Sequence, residues 1–361
     1  MKIAIDASQI IYGTGVSFYT KNLIKNILRI DSSNEYLLFG GSLRRRSELI
    51  RGLSKLNVSK SADLKVFPFP PSLMDFVWNR VHLLPIENLI GDITVLHSSD
   101  WVQPPTKAFK VTTIHDLAPF KFPQYTNRKI IAVHKRRLEW VAKEVNRVIV
   151  PSLATKNDLL EIGFNEKIIR VIPEAPGEEF KKYPDDKIVE IKNKYNLRGK
   201  YLLTIGVGGR KNTDRLIKAY ESAKIGKELK LALVGANRSK QGEDRGLRFL
   251  GQIDSDYDLA LLINGAEAFI YPSLYEGFGL PILQAFACGC PVVTSDVSSM
   301  VEIAKGASVL VDPNSIESVS EGIKSVLRRK ETLIQSGLEK AKNYSWENTA
   351  KETIKVYKEA R

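Results

Sequence analysis

The segment Tyr271-Pro272-Ser273-Leu274-Tyr275-Glu276-Gly277-Phe278-Gly279-Leu280-Pro281-Ile282-Leu283-Gln284-Ala285 gathers the side chains best suited to chemistry. A strand is expected to end at Tyr271, a glycine-bearing loop to follow, and a helix to start near Leu280–Pro281, because proline suits a first helical turn. Backbone N–H groups at such a start have no acceptor within the helix and form an anion site. Gln284 follows Glu276 by eight positions, so a loop carboxylate and a helix amide can line one pocket beside that anion. A tight strand-to-helix turn without a ligand is the plainer alternative. Upstream, Gly206-Val207-Gly208-Gly209-Arg210-Lys211-Asn212 sets an Arg-Lys pair at the end of an expected strand, Tyr201–Ile205. Fixed cations at such a place can stabilise negative charge that develops on a bound ligand.

In the first half, Val111-Thr112-Thr113-Ile114-His115-Asp116-Leu117 puts His115 at the carboxyl end of a strand, where ligands gather in open α/β sheets. Asp116 either orients the imidazole or caps the next segment. Gly13-Thr14-Gly15-Val16 precedes an amphipathic helix marked by Phe18, Leu23, Ile24, Ile27 and Leu28. Gly15 is either a simple turn residue or one that lets backbone approach a ligand. His82, His97 and His134 are assigned structural roles, and Cys288 and Cys290 are assigned to the core. The acids of Asp254-Ser255-Asp256-Tyr257-Asp258 precede a helical stretch, Leu259–Gly265, and suit N-capping and the helix dipole; no metal site is implied.

The elements that must position these groups alternate between β-branched runs and helical patterns, the mark of a parallel α/β architecture. Expected strands are Lys2–Asp6, Tyr36–Phe39, Leu64–Phe67, Ile93–His97, Lys110–Ile114 and Arg147–Val150. A second set follows at Tyr201–Ile205, Lys230–Val234, Leu247–Leu250, Ala268–Tyr271, Pro291–Thr294 and Ser308–Val311. The Pro-, Gly- and charge-rich stretch from Glu174 to Asp186 reads as a linker. A length of 361 residues is more than one core usually serves, so two Rossmann-like domains are expected, with the chemistry in the cleft between them.

Composition is that of a globular protein, 43% hydrophobic and 26% charged. No apolar run reaches the roughly 18 residues that span a bilayer, and the opening Met1-Lys2-Ile3-Ala4-Ile5-Asp6 lacks a signal peptide's apolar region, so a cytoplasmic location is expected. Charge is uneven. Residues 1–150 hold 22 Lys+Arg against 12 Asp+Glu, while residues 251–300 hold six acids and no Lys or Arg. Such a field answers to a phosphorylated acceptor, anionic lipid or nucleic acid, or serves solubility alone. Phe67, Phe69, Phe76 and Trp78, with Arg128, Lys129, Lys135, Arg136 and Arg137 on a helix, form a possible acceptor or membrane face. Ile130, Ile131, Val133, Leu138 and Val141 interleave with those cations, which is also the pattern of an ordinary amphipathic surface helix.

The Glu276 segment closely resembles the signature of glycosyltransferase family 4, in which a Glu, seven residues and a second Glu hold a nucleotide-sugar. The resemblance runs nearly the whole length and implies the GT-B fold: residues 1–175 binding the acceptor, 176–343 binding the donor, and 344–361 forming a helix that crosses back. It implies that Glu276 lies near the transferred sugar, with Gly277, Phe278, Gly279 and Leu280 completing the donor loop. Gln284 stands where the family's second Glu binds the ribose; an amide keeps the acceptor oxygen but loses the charge that strengthens the bond. Lys211, ahead of Arg210, is implied as the diphosphate ligand, although this loop is short and Val207 stands where some members place a further Arg. Gly15 is implied to face the donor phosphate, and His115 to contact the donor sugar.

The implied reaction is retaining transfer of a hexose from a nucleoside diphosphate to a hydroxyl of a glycan or lipid-linked acceptor. It needs neither metal nor cofactor. No carboxylate nucleophile stands out, which favours departure and attack on one face of the sugar. The His-Asp-Leu and Gly-Thr-Gly elements look most like mannosyltransferases of surface-polysaccharide pathways, making GDP-mannose the expected donor. Contact with the inner face of a membrane is a corollary. The alternatives are a nucleotide-sugar epimerase on the same fold and, from another class, a basic nucleic-acid-binding protein, for which no motif is present.

Overall fold

In the computed structural model, which describes residues 1–56, 62–226, 228–235 and 245–360, the aliphatic runs become the strands of two sheets, both parallel throughout. The chain divides into two units, Met1–Glu174 with Trp346–Arg361, and Ala175–Ser345. The first sheet has strands β1 (Lys2–Asp6), β2 (Glu35–Gly41), β3 (Ala62–Phe67), β4 (Val95–Ser98), β5 (Phe109–Thr113), β6 (Arg147–Val150) and β7 (Ile169–Val171), in the order β3-β2-β1-β4-β5-β6-β7. Ile3 lies opposite Tyr36 on one side and Val95 on the other. The second sheet has β8 (Lys200–Ile205), β9 (Leu229–Val234), β10 (Leu247–Gly251), β11 (Ala268–Tyr271), β12 (Val292–Ser295) and β13 (Val309–Val311), in the order β10-β9-β8-β11-β12-β13. Crossover helices cover both faces of parallel sheets, which is why the strands are near-continuous apolar runs rather than alternating ones. Ile3, Ala4, Leu37, Leu96, Leu202, Leu231, Phe269 and Val293 are all inaccessible to solvent. Strand order reverses beside β1 in one sheet and beside β8 in the other, and ligands of open α/β sheets bind outside such reversals.

Several expectations need correction. Edge strand β7 lies outside the expected strands, because three residues are too few to show a period. The helix Asp185–Lys194 takes up the last two residues of the expected linker. The helix expected from Leu259 begins at Asp256, and its cap is Ser255, whose side chain accepts from the Asp258 N–H. Asp256 and Asp258 sit in its first turn, and Asp258 also accepts from Lys194 and Tyr195.

The largest correction concerns the basic helix, Arg128–Glu144. Arg128, Lys129 and Lys135 are exposed, but Arg137 is wholly buried, paired with Asp100 at 3.1 Å and donating to Thr112 Oγ1 and Thr113 O. Arg136 turns inward to Asp75 at 2.6 Å. Arg137 holds the helix to β5 and Arg136 holds it to the helical segment Asp75–Arg80, and neither guanidinium belongs to a surface charge patch. Trp78 is likewise buried and donates to Leu84 O, whereas Phe76 is exposed.

The helix Trp346–Lys358 belongs to the first unit and packs on Gly15–Ile30, with Trp346 edge-on to Phe18 and Tyr19. Tyr357 reaches His97 at 2.7 Å, and Glu359 clasps Arg147 and Arg170. Cys288 and Cys290 are buried, and burial pushes both thiols up. Among the described residues, no helix is long and apolar enough to cross a membrane.

Candidate active site

In the second unit the chain turns sharply after β8. Gly206 takes φ +84, and a Cβ there would meet the Lys211 side chain at 3.0 Å, so only glycine lets the lysine stem lie over the turn. Arg210 and Lys211 fall in a short 3-10 turn, closed by Asn212 in the left-handed region at φ +62. The Asn212 amide donates to Pro272 O (3.0 Å) and Pro313 O (2.6 Å), and Leu274 N donates to Arg210 O (2.9 Å). These bonds tie the cation-bearing loop to the stretches that follow β11 and β13, so segments distant in sequence share one wall.

The two loops meet at a carboxylate. Lys211 Nζ donates to Glu276 Oε1 at 2.7 Å and to the Tyr271 hydroxyl; Tyr271 in turn donates to the same oxygen at 2.9 Å. Arg210 Nη1 reaches Glu276 Oε2 at 3.0 Å and donates to Tyr275 O. Burial alone would push the Glu276 carboxyl up, but Lys211 and then Arg210 hold it down at about 2. Burial opposes charge on Lys211 as well, yet the facing carboxylate raises its pKa on balance. Tyr271 is pushed up to about 12, chiefly by burial, and stays a neutral hydroxyl. The result is a preformed group with two cations and one anion.

The loop itself is fastened from β12 onward. Ser298 Oγ and Ser299 Oγ both donate to Glu276 O at 2.8 Å, and Ser298 does so from a left-handed backbone at φ +55. Gly279, at φ +98, caps the helix Leu280–Ala287. That start offers fewer donors than expected: Pro281 has no N–H, and Ile282 N returns to Gly279 O at 2.9 Å. Lys211 and Arg210, rather than the helix, supply most of the positive charge here. Gly277 lies in the same loop, Phe278 is buried edge-on to Tyr344, and Gln284 is buried in the helix. Asn212, Tyr271, Ser298 and Ser299 were missed as site residues. Tyr271 and Asn212 are end residues of the two site motifs, whereas the serine pair has no signal beyond its place after a strand.

In the first unit His115 stands two residues past β5, beside the Tyr19 ring (centroids 4.6 Å apart, 80° between planes). Its Nδ1 lies 3.1 Å from Glu174 Oε1. Asp116, expected either to orient the imidazole or to cap the next segment, accepts from Ala118 N at 2.8 Å, where the next helical turn begins. Burial works against a charged imidazole, but Glu174, with Asp100 and Asp116, raises the pKa of His115 on balance. Gly15 opens the helix Gly15–Ile30, which is capped by Thr14 in a capping box with Ser17. A Cβ at Gly15 would meet nothing within 4 Å, so the protein itself does not require glycine there. A cavity of about 420 Å³ lies past the carboxyl ends of β1, β2 and β4, lined by Asp6, Tyr12, Met74, Trp101 and Val102 among others. That is within the size range of small-molecule sites. His97 bonds Tyr357 and Thr113 in the core, and His82 stacks on Trp140.

Residues 187–345 match the family model "Glycosyl transferases group 1", and residues 35–175 match "Glycosyltransferase Family 4". Among curated relatives, the O-antigen chain mannosyltransferase B of Escherichia coli is 28% identical over 99% of this chain and 100% of its own length. A phosphatidyl-myo-inositol mannosyltransferase of Mycobacterium leprae is 24% identical over 74% of each chain. Among solved structures, sucrose-phosphate synthase from Thermosynechococcus elongatus aligns over 99% of this chain and 98% of its own, with a TM-score of 0.71 at 19% identity. WaaG, a glycosyltransferase involved in lipopolysaccharide biosynthesis, aligns over 98% of this chain and 99% of its own, with a TM-score of 0.72 at 13% identity. Two parallel α/β units, the Glu276 loop after β11 and family models spanning both units agree: the fold is GT-B, and the chain belongs to the group 1, family 4 glycosyltransferases.

Proposed function

We propose that the chain transfers mannose from GDP-mannose, with retention at the anomeric carbon, to a hydroxyl of a glycan or lipid-linked acceptor in surface-polysaccharide synthesis. The observation that carries the reading is the group Lys211–Arg210–Glu276, a buried carboxylate faced by two part-exposed cations, in a glycosyltransferase with a mannosyltransferase among its full-length relatives. Lys211 and Arg210 take the charge of the departing diphosphate, so no metal is needed for that step. Glu276 lies near the transferred sugar, with Gly277 to Leu280 forming the rest of its loop, and Gln284 accepts from the ribose. Gly15 faces the donor phosphate and His115 contacts the sugar. The leaving diphosphate and the incoming hydroxyl share one face of the sugar ring. The cavity past β1, β2 and β4 supports the first unit as the acceptor's side. The enzyme works in the cytoplasm, with its basic first unit against anionic lipid.

A panel of GDP- and UDP-sugars tested by thermal shift checks the donor, because a ligand that binds only the native state raises apparent stability. GDP-mannose is expected to give the largest shift, and an added acceptor to release GDP with the α configuration retained in the product. A larger shift with a UDP-sugar refutes the donor assignment. Interconversion of the sugar without an acceptor makes the protein an epimerase.

A further inference from the structure

We infer that Glu174 is a positioning residue for His115: it fixes the orientation of the imidazole and leaves Nε2 as the nitrogen that exchanges its proton. The inference rests on the reading of His115 as a participant in transfer. Glu174 follows β7, two strands away from β5 in the sheet order, and its neighbours are held. Ile172 N donates to Val150 O at 2.9 Å, and Thr349 Oγ1 donates to Pro173 O at 2.7 Å. The carboxylate is buried, 3.1 Å from His115 Nδ1, while the Tyr19 ring closes on the imidazole and its hydroxyl is tied to Thr113 at 3.1 Å.

An ionised carboxylate only accepts hydrogen bonds, so Nδ1 carries a proton in both the neutral and the charged ring. Proton gain and loss therefore fall to Nε2. The charged and titratable groups facing the ring are Glu174 after β7, Asp100 after β4, Asp116 beside it, His97 on β4 and Tyr19 on the first helix. Asp100 is itself paired with Arg137, and His97 is kept neutral by burial. Glu174 is thus the first of the groups that favour the imidazolium. Held this way, Nε2 keeps an N–H to higher pH than an ordinary histidine, which suits donation to a sugar oxygen.

The test is nitrogen-detected NMR titration of the histidines in the whole protein, with His115 assigned by a His115→Gln variant. In the parent, neutral His115 is expected as the Nδ1–H tautomer; an Nε2–H tautomer overturns the inference without any change at Glu174. In Glu174→Gln, the amide can still accept from Nδ1 but the charge is gone. His115 should then titrate at lower pH than in the parent, and an unchanged titration overturns the inference. In transfer assays the same variant should lower kcat at unchanged donor KM and move the alkaline limb of the pH profile to lower pH. If the NMR results hold but His115→Gln transfers normally, Glu174 still positions the ring, and it is the role of His115 in transfer that fails.

Discussion

Glu276→Gln removes one charge and leaves two cations facing an amide. In the parent the carboxyl is held at about 2 against an ordinary 4.5; that difference is about 3 kcal/mol of stability by linkage. The folded pKa lies below the unfolded one, so this contribution is complete above about pH 4.5 and fades as pH falls toward 2. By pH 3.5, roughly 1 kcal/mol of it is lost. The side chains of Lys211 and Arg210 are about a quarter exposed (25% and 22%), which lets water screen part of the loss. The variant should then sit below the roughly 3–5 kcal/mol seen when a fully buried pair loses one partner. Urea denaturation of parent and variant at pH 7 and pH 3.5 measures this, read from a probe in the second unit. The gap should be wide at pH 7 and narrower by about 1 kcal/mol at pH 3.5. GDP should stabilise the variant at least as much as the parent, because the carboxylate no longer competes with the diphosphate for the two cations. A gap of equal size at both pH values would refute the electrostatic account and leave Glu276 as a packing residue.

Lys211→Met should lower turnover at saturating donor by roughly 100- to 1,000-fold, the usual cost of losing one well-placed charge stabiliser; near-normal turnover would remove Lys211 from the diphosphate. Gln284→Glu should tighten GDP binding by about 1 kcal/mol while lowering the melting temperature of the unliganded protein, since the new carboxylate is buried. Isothermal titration showing equal affinities would mean that Gln284 does not meet the ribose. Arg137→Leu should destabilise the first unit by several kcal/mol, on the order of 3–5, by leaving Asp100 unpaired, and urea midpoints would show it. Reversing the exposed Arg128, Lys129 and Lys135 to Glu should leave stability unchanged. It should release the protein from anionic vesicles in sedimentation, since each basic side chain near a membrane contributes only about 1 kcal/mol.

What could be read from residues alone follows from the range of the forces involved. Strand runs, the proline at the helix start and the Arg-Lys pair after β8 are local, and local patterns survive without coordinates. The pairing of Lys211 with Glu276 is not local: 65 positions separate them, and adjacency of β8 and β11 in the sheet brings them together. Glu174 sat in a segment whose composition says only linker, and its partner is 59 positions away. Arg137 shows the reverse failure. Helical spacing groups it with its basic neighbours, but the same spacing turns it toward the sheet, and only the fate of its guanidinium tells which side it faces. The place of Gln284 in a helix was legible, because Pro281 marks where that helix starts.

The helix Trp346–Lys358 finishes a unit that the chain began at its first strand. During synthesis, β1 to β7 emerge long before Trp346, Tyr357 and Glu359. Until then Phe18 and Tyr19 lack their indole neighbour, His97 lacks its phenol, and Arg147 and Arg170 lack their shared carboxylate. Domains generally fold as they leave the ribosome, the earlier one first; here the earlier one must wait. The second unit, continuous from Ala175 to Ser345, can reach its native state while the first is still short of a helix. The last contacts of the first unit can therefore form only after the whole of the second unit has been made.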